Sequence, residues 1–272
     1  MINDELRYIS KDIRKKLIYI HSRSNESHIG SSLSIVDILV VLYFKILNVY
    51  PKDPDNPNRD RLLLSKGHAA TALYAVLAKR EFFEDTILDT FAENNSKISV
   101  HTERFSVPGI EISSGSLGHA LSIGIGISFI AKKEDKKFKT YVIMSDGECE
   151  EGSNWEAAIS ASRFKLDNLI VIVDMNGLQG YEKTDNIQNL SLLKDKWKAF
   201  GWSVRQINGH DFAELEKTFN SIPFEKGKPS VIIAETIKGK GIKEMENKLE
   251  WHYKSPKLEN IEKYIKSLER DE

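Results

Sequence analysis

TYVIMSDGECEEGSNWEAAISASRFKLDNLIVIVDMN, residues 140–176, holds two short β-branched runs, TYVIMSD and NLIVIVDMN, on either side of a segment with helical spacing. The same alternation continues with WSVRQIN (202–208), the helix-like DFAELEKTFNSI (211–222) and PSVIIAET (229–236). Strand and helix in regular alternation predict an α/β fold, a parallel sheet flanked by helices on both faces. Ser153 with Glu156 and Asp211 with Glu214 have the spacing of a capping box, in which the first side chain bonds a free backbone N–H and the second reaches back.

Within this stretch Asp146 stands at the carboxyl end of one expected strand, and Asn176 lies just past the end of the next. Ligands of open α/β sheets bind at that edge, so both side chains are expected in one crevice. A carboxylate, an amide oxygen and a nearby backbone carbonyl, assigned to Leu178, suit a hard cation of the Mg²⁺ type, with Ca²⁺ or Mn²⁺ as substitutes. Gly147 would let backbone N–H groups approach an anion, and the helix beginning near Ser153 would add a favourable field. Asp-Gly is also a common turn dipeptide, so these residues alone leave a turn former and a metal ligand both open.

Working outward, Leu6, Ile9, Ile13, Leu17 and Ile20 recur at steps of three or four, the mark of a helix. The run SIVDILVVLYFKIL (34–47) has the length of one buried helix. PKDPDNPNRD (51–60) reads as a loop, and RLLLSKGHAATALYAVLAKR (61–80) as a short apolar lead into a helix. Residues 93–118 are rich in Ser and Gly and weak in periodicity, and a loop this long inside a compact unit is commonly functional. KLENIEKYIKSLERDE (257–272) predicts an amphipathic helix through Leu258, Ile261, Tyr264, Ile265 and Leu268. No repeat or linker interrupts the chain, so residues 1–272 are read as one domain with terminal helical extensions.

The 272 residues are 40% hydrophobic and 29% charged, with 39 basic and 40 acidic side chains. That balance excludes a disordered tail, and it lacks the basic excess of a nucleic-acid binder. Asp37 and Lys45 interrupt the longest apolar run, 35–47, so no membrane span is expected. The charged amino terminus has no secretory apolar core, and the single cysteine, Cys149, has no partner for an intrachain disulfide. A reducing cytoplasm is the expected location.

Asp146-Gly147, Glu151-Gly152 and Asn176 resemble the signature by which thiamine-diphosphate enzymes hold the cofactor's diphosphate through a metal ion. The rest of the chain is similar to transketolase. NESHIGSSLSIVDIL matches that family's first histidine motif, RDRLLLSKGHAATALYAVL its second, VPGIEISSGSLGHALSIGIGIS its cofactor loop, and ETIKGKGIKEMENKLEWHY its closing segment. The resemblance implies thiamine diphosphate as cofactor and roles for particular residues. Asp146, Asn176 and the Leu178 carbonyl would ligate the metal, with Gly147 and His68 against the diphosphate. Gly115 and Leu117 would line the aminopyrimidine and thiazolium pocket. His28, His101 and His252 would face the reacting carbon and the substrate hydroxyls, His252 touching the cofactor as well.

The cofactor would supply the nucleophile and electron sink, leaving the protein to orient it and move protons. Imidazole titrates near neutrality and suits that task. The implied reaction moves a two-carbon ketol unit from a ketose phosphate to an aldose phosphate. The chain stops where the family's diphosphate-binding part ends, which implies a split enzyme. Its partner would be a carboxy-terminal transketolase subunit carrying the pyrimidine-binding and third domains, in a heterotetramer of two pairs. Deoxyxylulose-phosphate synthase and the α subunit of 2-oxoacid dehydrogenases share the metal motif, but His28, His101, His252 and the GSLG loop speak for transketolase. A catalytically silent binding subunit is the third reading, and the intact ligands and histidines argue against it.

Several positions depart from the family pattern: Ser27 and Tyr253 where glycine is frequent, Ser145 before Asp-Gly, Ala120 in the cofactor loop, and Val100 and Thr102 beside His101. These put the particular sugar in question, because bulk near the reacting carbon changes which one fits. Cys149 sits among Glu148, Glu150 and Glu151 and is assigned no nucleophilic role. The Lys238, Lys240 and Lys243 loop is expected to be solvated, a phosphate contact being the alternative. Glu151 is left between a supporting role and an acidic turn, and His119 between the cofactor loop and a buried hydrogen bond.

Overall fold

The structure, a computed structural model, describes residues 2–187 and 189–269. Its sheet is built from β1 (Arg61–Leu64), β2 (Thr140–Ser145), β3 (Leu169–Met175), β4 (Ser203–Asn208) and β5 (Ser230–Glu235). All pairings are parallel, in the spatial order β1-β2-β3-β5-β4. The central strands are apolar throughout because both of their faces are covered, as in sheets with helices above and below.

Alternate residues sort to two cores with the period of two that a pleated strand imposes. Tyr141, Ile143, Ile170, Ile172, Ile232 and Ala234 face one core, and Val142, Met144, Val171, Val173, Val231 and Ile233 the other. On the first face lie α1 (Ile2–Ser24), α2 (Ile29–Ser34), α3 (Val36–Val41) and α4 (Ala70–Lys79). α5 (Ala120–Lys133), α6 (Gly152–Arg163) and α7 (Leu193–Ala199) cover the second face. α8 (Phe212–Asn220) and α9 (Ile261–Glu269) return to the first. The expected α/β sheet with helices on both faces is therefore what forms. Among the described residues no helix is long and apolar enough to cross a membrane.

Several local expectations change. RLLL is a strand, β1, hydrogen-bonded along β2, and not merely a lead into α4. The apolar run from residue 34 to 47 does not form one helix: Ile35, at φ −100 and ψ 2, separates α2 from α3, and α3 gives way to a π turn at Leu42–Ile46. Ser153 does not cap α6, because Glu151 occupies the cap position and the Ser153 hydroxyl donates instead to the Gly118 carbonyl at 2.7 Å. Asp211 does cap α8, accepting from Ala213 and Glu214 N–H at 2.9 and 3.0 Å, but Glu214 accepts from Asn208 N–H and does not reach back to Asp211. At the carboxyl end Tyr264 and Leu268 are buried as expected, whereas Leu258 precedes α9 in a 3-10 turn and is 62% exposed. Residues 270–272 of that segment lie outside the described residues.

Candidate active site at the carboxyl ends of the strands

The carboxyl ends of four strands open onto one cleft of about 460 Å³. After β1 come Lys66 and His68, after β2 Asp146 and Gly147, after β3 Asn176 to Gly180, and after β5 Lys238. Register explains the convergence: Ser145 of β2 pairs with Asp174 of β3, so the residues that follow emerge side by side. The Asp146 carboxylate accepts from Gly147 N–H at 2.8 Å and, across to the next strand end, from Gly177 N–H at 2.6 Å. Asn176 Oδ1 accepts from Leu178 N–H at 3.1 Å. Asp146, Asn176 and Leu178 thus share one corner of the cleft, as their positions at neighbouring strand ends predict.

Four imidazoles form a second wall. The His28 ring lies 4.9 Å from that of His252, 5.3 Å from His68 and 6.2 Å from His101, centroid to centroid. His28 has φ 76, in the left-handed region, at the start of α2, and its N–H donates to the His252 carbonyl at 3.0 Å. Such a conformation in a non-glycine residue must be held by its surroundings, and strain of this kind gathers at functional sites. Burial lowers the pKa of His28 to about 4 and of His252 to about 3, with neighbouring positive groups adding to the effect. His68 is pushed well below 6.5, again chiefly by burial. These three rings are therefore neutral at pH 7 and able to accept a proton.

The loop ending at Gly118 supplies the remaining side. Ser114 N–H donates to the Thr102 carbonyl, and their hydroxyls are 2.6 Å apart, which folds the loop back on itself. Gly115, at φ 151, passes so close to His101 that a Cβ there would lie 3.0 Å from the ring. The buried Glu148 carboxylate anchors this loop to the sheet, accepting from Gly118 N–H at 2.9 Å, Ser145 N–H at 3.2 Å and the Ser65 hydroxyl. Leu117 lines the cleft, while its carbonyl is 2.9 Å from Nδ1 of His119. His119 itself is exposed, so it does not satisfy a buried hydrogen bond. Cys149 is buried and its thiol pKa is raised, first by burial, in line with its lack of a nucleophilic role.

Sequence reasoning missed three buried charges. Lys66 and Asp174 form a fully buried ion pair, with Ser34 and Thr236 hydroxyls and the Asn176 amide also donating to Asp174. Lys238, expected in a solvated loop, is 1% exposed, its Nζ 2.9 Å from His252 Nδ1 and 3.4 Å from the Leu178 carbonyl. An ammonium group only donates, so His252 Nδ1 is the acceptor and its proton sits on Nε2. The available signal was a lone charge closing an apolar run, in LLLSK and in LIVIVD, since a charge buried there requires a partner.

The donor set can be tested against an oxygen-loving cation and a phosphate. Among the described residues no three His, Cys, Asp or Glu side chains are arranged to hold a metal. The candidate set is instead one carboxylate, one amide oxygen and one carbonyl, the hard donors such a cation takes. Burial and the Asp174 charge raise the Asp146 carboxyl to about 6, so added positive charge there would be favourable. Lys238 has its pKa lowered to about 8, mainly by burial, and no carboxylate lies within 4.0 Å of it among the described residues. A buried cation without an anion, opening on a cleft, fits an anionic ligand.

Comparison with known proteins agrees with this geometry. Residues 7–270 match the family described as transketolase, thiamine diphosphate binding domain. One of the two subunits named for apulose-4-phosphate transketolase in Actinobacillus succinogenes and in Phocaeicola vulgatus is similar over nearly its whole length. The Actinobacillus protein is 42% identical over 266 residues, covering 97% of this chain and 96% of that protein. Human transketolase is 35% identical over 267 residues, but the chain spans only 42% of its length. Among solved structures, transketolase from Campylobacter jejuni superposes with a TM-score of 0.89 at 32% identity, covering 96% of this chain and 42% of that one.

Proposed function

This chain belongs to the transketolase family, as its thiamine-diphosphate-binding domain, and from that premise we propose that it is one subunit of a two-chain transketolase. In this reading it binds the diphosphate end of thiamine diphosphate through a divalent cation. With a partner chain carrying the pyrimidine-binding and third domains, it transfers a two-carbon ketol unit from a ketose phosphate to an aldose phosphate. We read its described residues as one domain and its assembly as two pairs of subunits.

The observation that carries the reading is the juxtaposition of an oxygen-donor corner and a buried, unneutralised Lys238 with four cleft histidines. Asp146, Asn176 and the Leu178 carbonyl would hold the cation, and His68, Gly147 and Lys238 would meet the diphosphate. Gly115 and Leu117 would bound the ring pocket. When bound, thiamine diphosphate supplies the carbon nucleophile and electron sink for breaking and making the carbon–carbon bond. The neutral rings of His28 and His252 are suited to taking and returning hydroxyl protons, and His252 Nε2–H, fixed by the Lys238 contact, is suited to donating to a substrate oxygen. His101 would complete the polar wall around the sugar.

Support for a second chain comes from coverage. The chain spans 94% and 96% of the two apulose-4-phosphate transketolase relatives, each named as a subunit, against 42% of human transketolase. The reading is tested by calorimetric titration of thiamine diphosphate with Mg²⁺, and by two-carbon transfer after mixing with the partner. Asp146→Ala is expected to weaken Mg²⁺-dependent cofactor binding by at least roughly a hundredfold, since even outer-shell losses cost metal sites 10–100-fold. Undiminished binding and transfer in that variant would reject it.

A further inference from the structure

Beside the histidine cleft lies a second cavity of about 440 Å³, lined by Gly180, Tyr181, Lys248, Leu249, Glu250 and Tyr253. The two share Gly180 and Tyr181 on one side, while on the other side His252 belongs to the cleft and Tyr253 to the outer cavity. The division between them is narrow. A Cβ at Gly180 would lie 2.7 Å from the Tyr253 hydroxyl and 3.4 Å from His252 Nε2, so this pair closes directly against the Gly180 backbone. The Tyr253 ring stands edge-on to His252, with centroids 4.9 Å apart and planes at 67°. It is 63% exposed, so the core of this chain does not require it. Tyr253 is also one of the positions where the family pattern has glycine, which would leave the two spaces joined.

We infer that Tyr253 is a specificity-determining residue that ends the sugar site on this side. Its ring forms a septum that keeps the carbon chain of an aldose or ketose phosphate from running out of the histidine cleft into the outer cavity, and so favours short sugars over longer or branched ones. The inference rests on the two-chain transketolase reading above. A wall that stops a chain by bulk discriminates through lost fit, and a few methylene-sized groups change selectivity by 10-fold or more. Removing the ring should therefore produce a gain for the longer substrate, which simple damage to the fold would not.

The test uses the holoenzyme reconstituted with its partner, thiamine diphosphate and Mg²⁺, comparing kcat/KM for a three-carbon and a five-carbon aldose phosphate. Tyr253→Gly is expected to shift the ratio toward the five-carbon acceptor by roughly tenfold. Tyr253→Phe, which keeps the ring, is expected to hold the original ratio. An unchanged ratio in Tyr253→Gly, or an equal shift in Tyr253→Phe, overturns the inference. Calorimetric titration of both sugars against the same complexes reads the ratio of affinities independently of turnover. Absence of two-carbon transfer in the unmodified complex would count against the proposed function, while the titration still decides the role of Tyr253.

Discussion

Two buried clusters in this molecule combine histidine with basic side chains, and they differ in charge balance. Around Asp37 the cluster is closed. Arg14 donates two hydrogen bonds to its carboxylate at 2.8 and 2.7 Å, and His210 Nδ1 adds a third at 2.7 Å. His210 Nε2 accepts from Ile237 N–H at 2.8 Å, and Arg14 Nε donates to the Lys240 carbonyl at 3.1 Å. These positive neighbours hold the Asp37 carboxyl far below the usual carboxylate range despite its burial. Around His252 the cluster is open: Lys238 meets an imidazole and a carbonyl, with no carboxylate within 4.0 Å among the described residues. A buried network whose charges cancel within the chain is scaffold, and one left with excess positive charge is built for an anion that arrives from outside.

The largest effect that would break this comparison is at Asp37. Asp37→Ala leaves Arg14 buried without its anion, and urea unfolding is expected to record a loss of about 3–5 kcal/mol. A cost below about 1 kcal/mol would show that the closed cluster is not scaffold.

A smaller effect comes from His21, a fully buried ring 3.0 Å from both the Glu26 carbonyl and the Thr71 hydroxyl. Burial lowers its pKa from 6.5 to about 4. Below pH 6.5 the unfolded chain binds a proton that the folded chain refuses until about pH 4, so stability falls as pH drops through that window. The contribution at pH 5 is about 2 kcal/mol. His21→Gln should show a correspondingly smaller loss between pH 7.5 and pH 5 in urea titrations, and an identical pH dependence would remove His21 from the account.

The smallest effect sharpens the contrast most. Lys238→Met removes a buried charge of similar length, so the unliganded fold should be no less stable, whereas affinity for thiamine diphosphate with Mg²⁺ should fall roughly tenfold, the worth of one charge-assisted hydrogen bond. Destabilisation with unchanged affinity would reverse the assignment.

Legibility in the sequence follows the same division. Asp146 and Asn176 were readable because strand ends and their register are set by β-branched runs, and the histidines because each sits in a distinctive motif. β1 was not, since four apolar residues beside a helix carry no period of their own. Ser153 was misread because a capping-box spacing cannot reveal that the hydroxyl is taken by Gly118, a neighbour 35 positions away. Lys238 was misread for a related reason: a lysine among lysines looks solvated until the chain folds over it.

The hydrogen bond from His28 N–H to the His252 carbonyl joins the two ends of the sequence, as does the Arg14–Lys240 contact across 226 positions. Contacts so distant along the chain form late, after the local pairing of neighbouring segments. A nascent chain leaving the ribosome can therefore lay down β1, β2 and β3 while its histidine wall is still incomplete. Catalytic competence awaits the last few dozen residues, and any truncated product carries the sheet without the machinery.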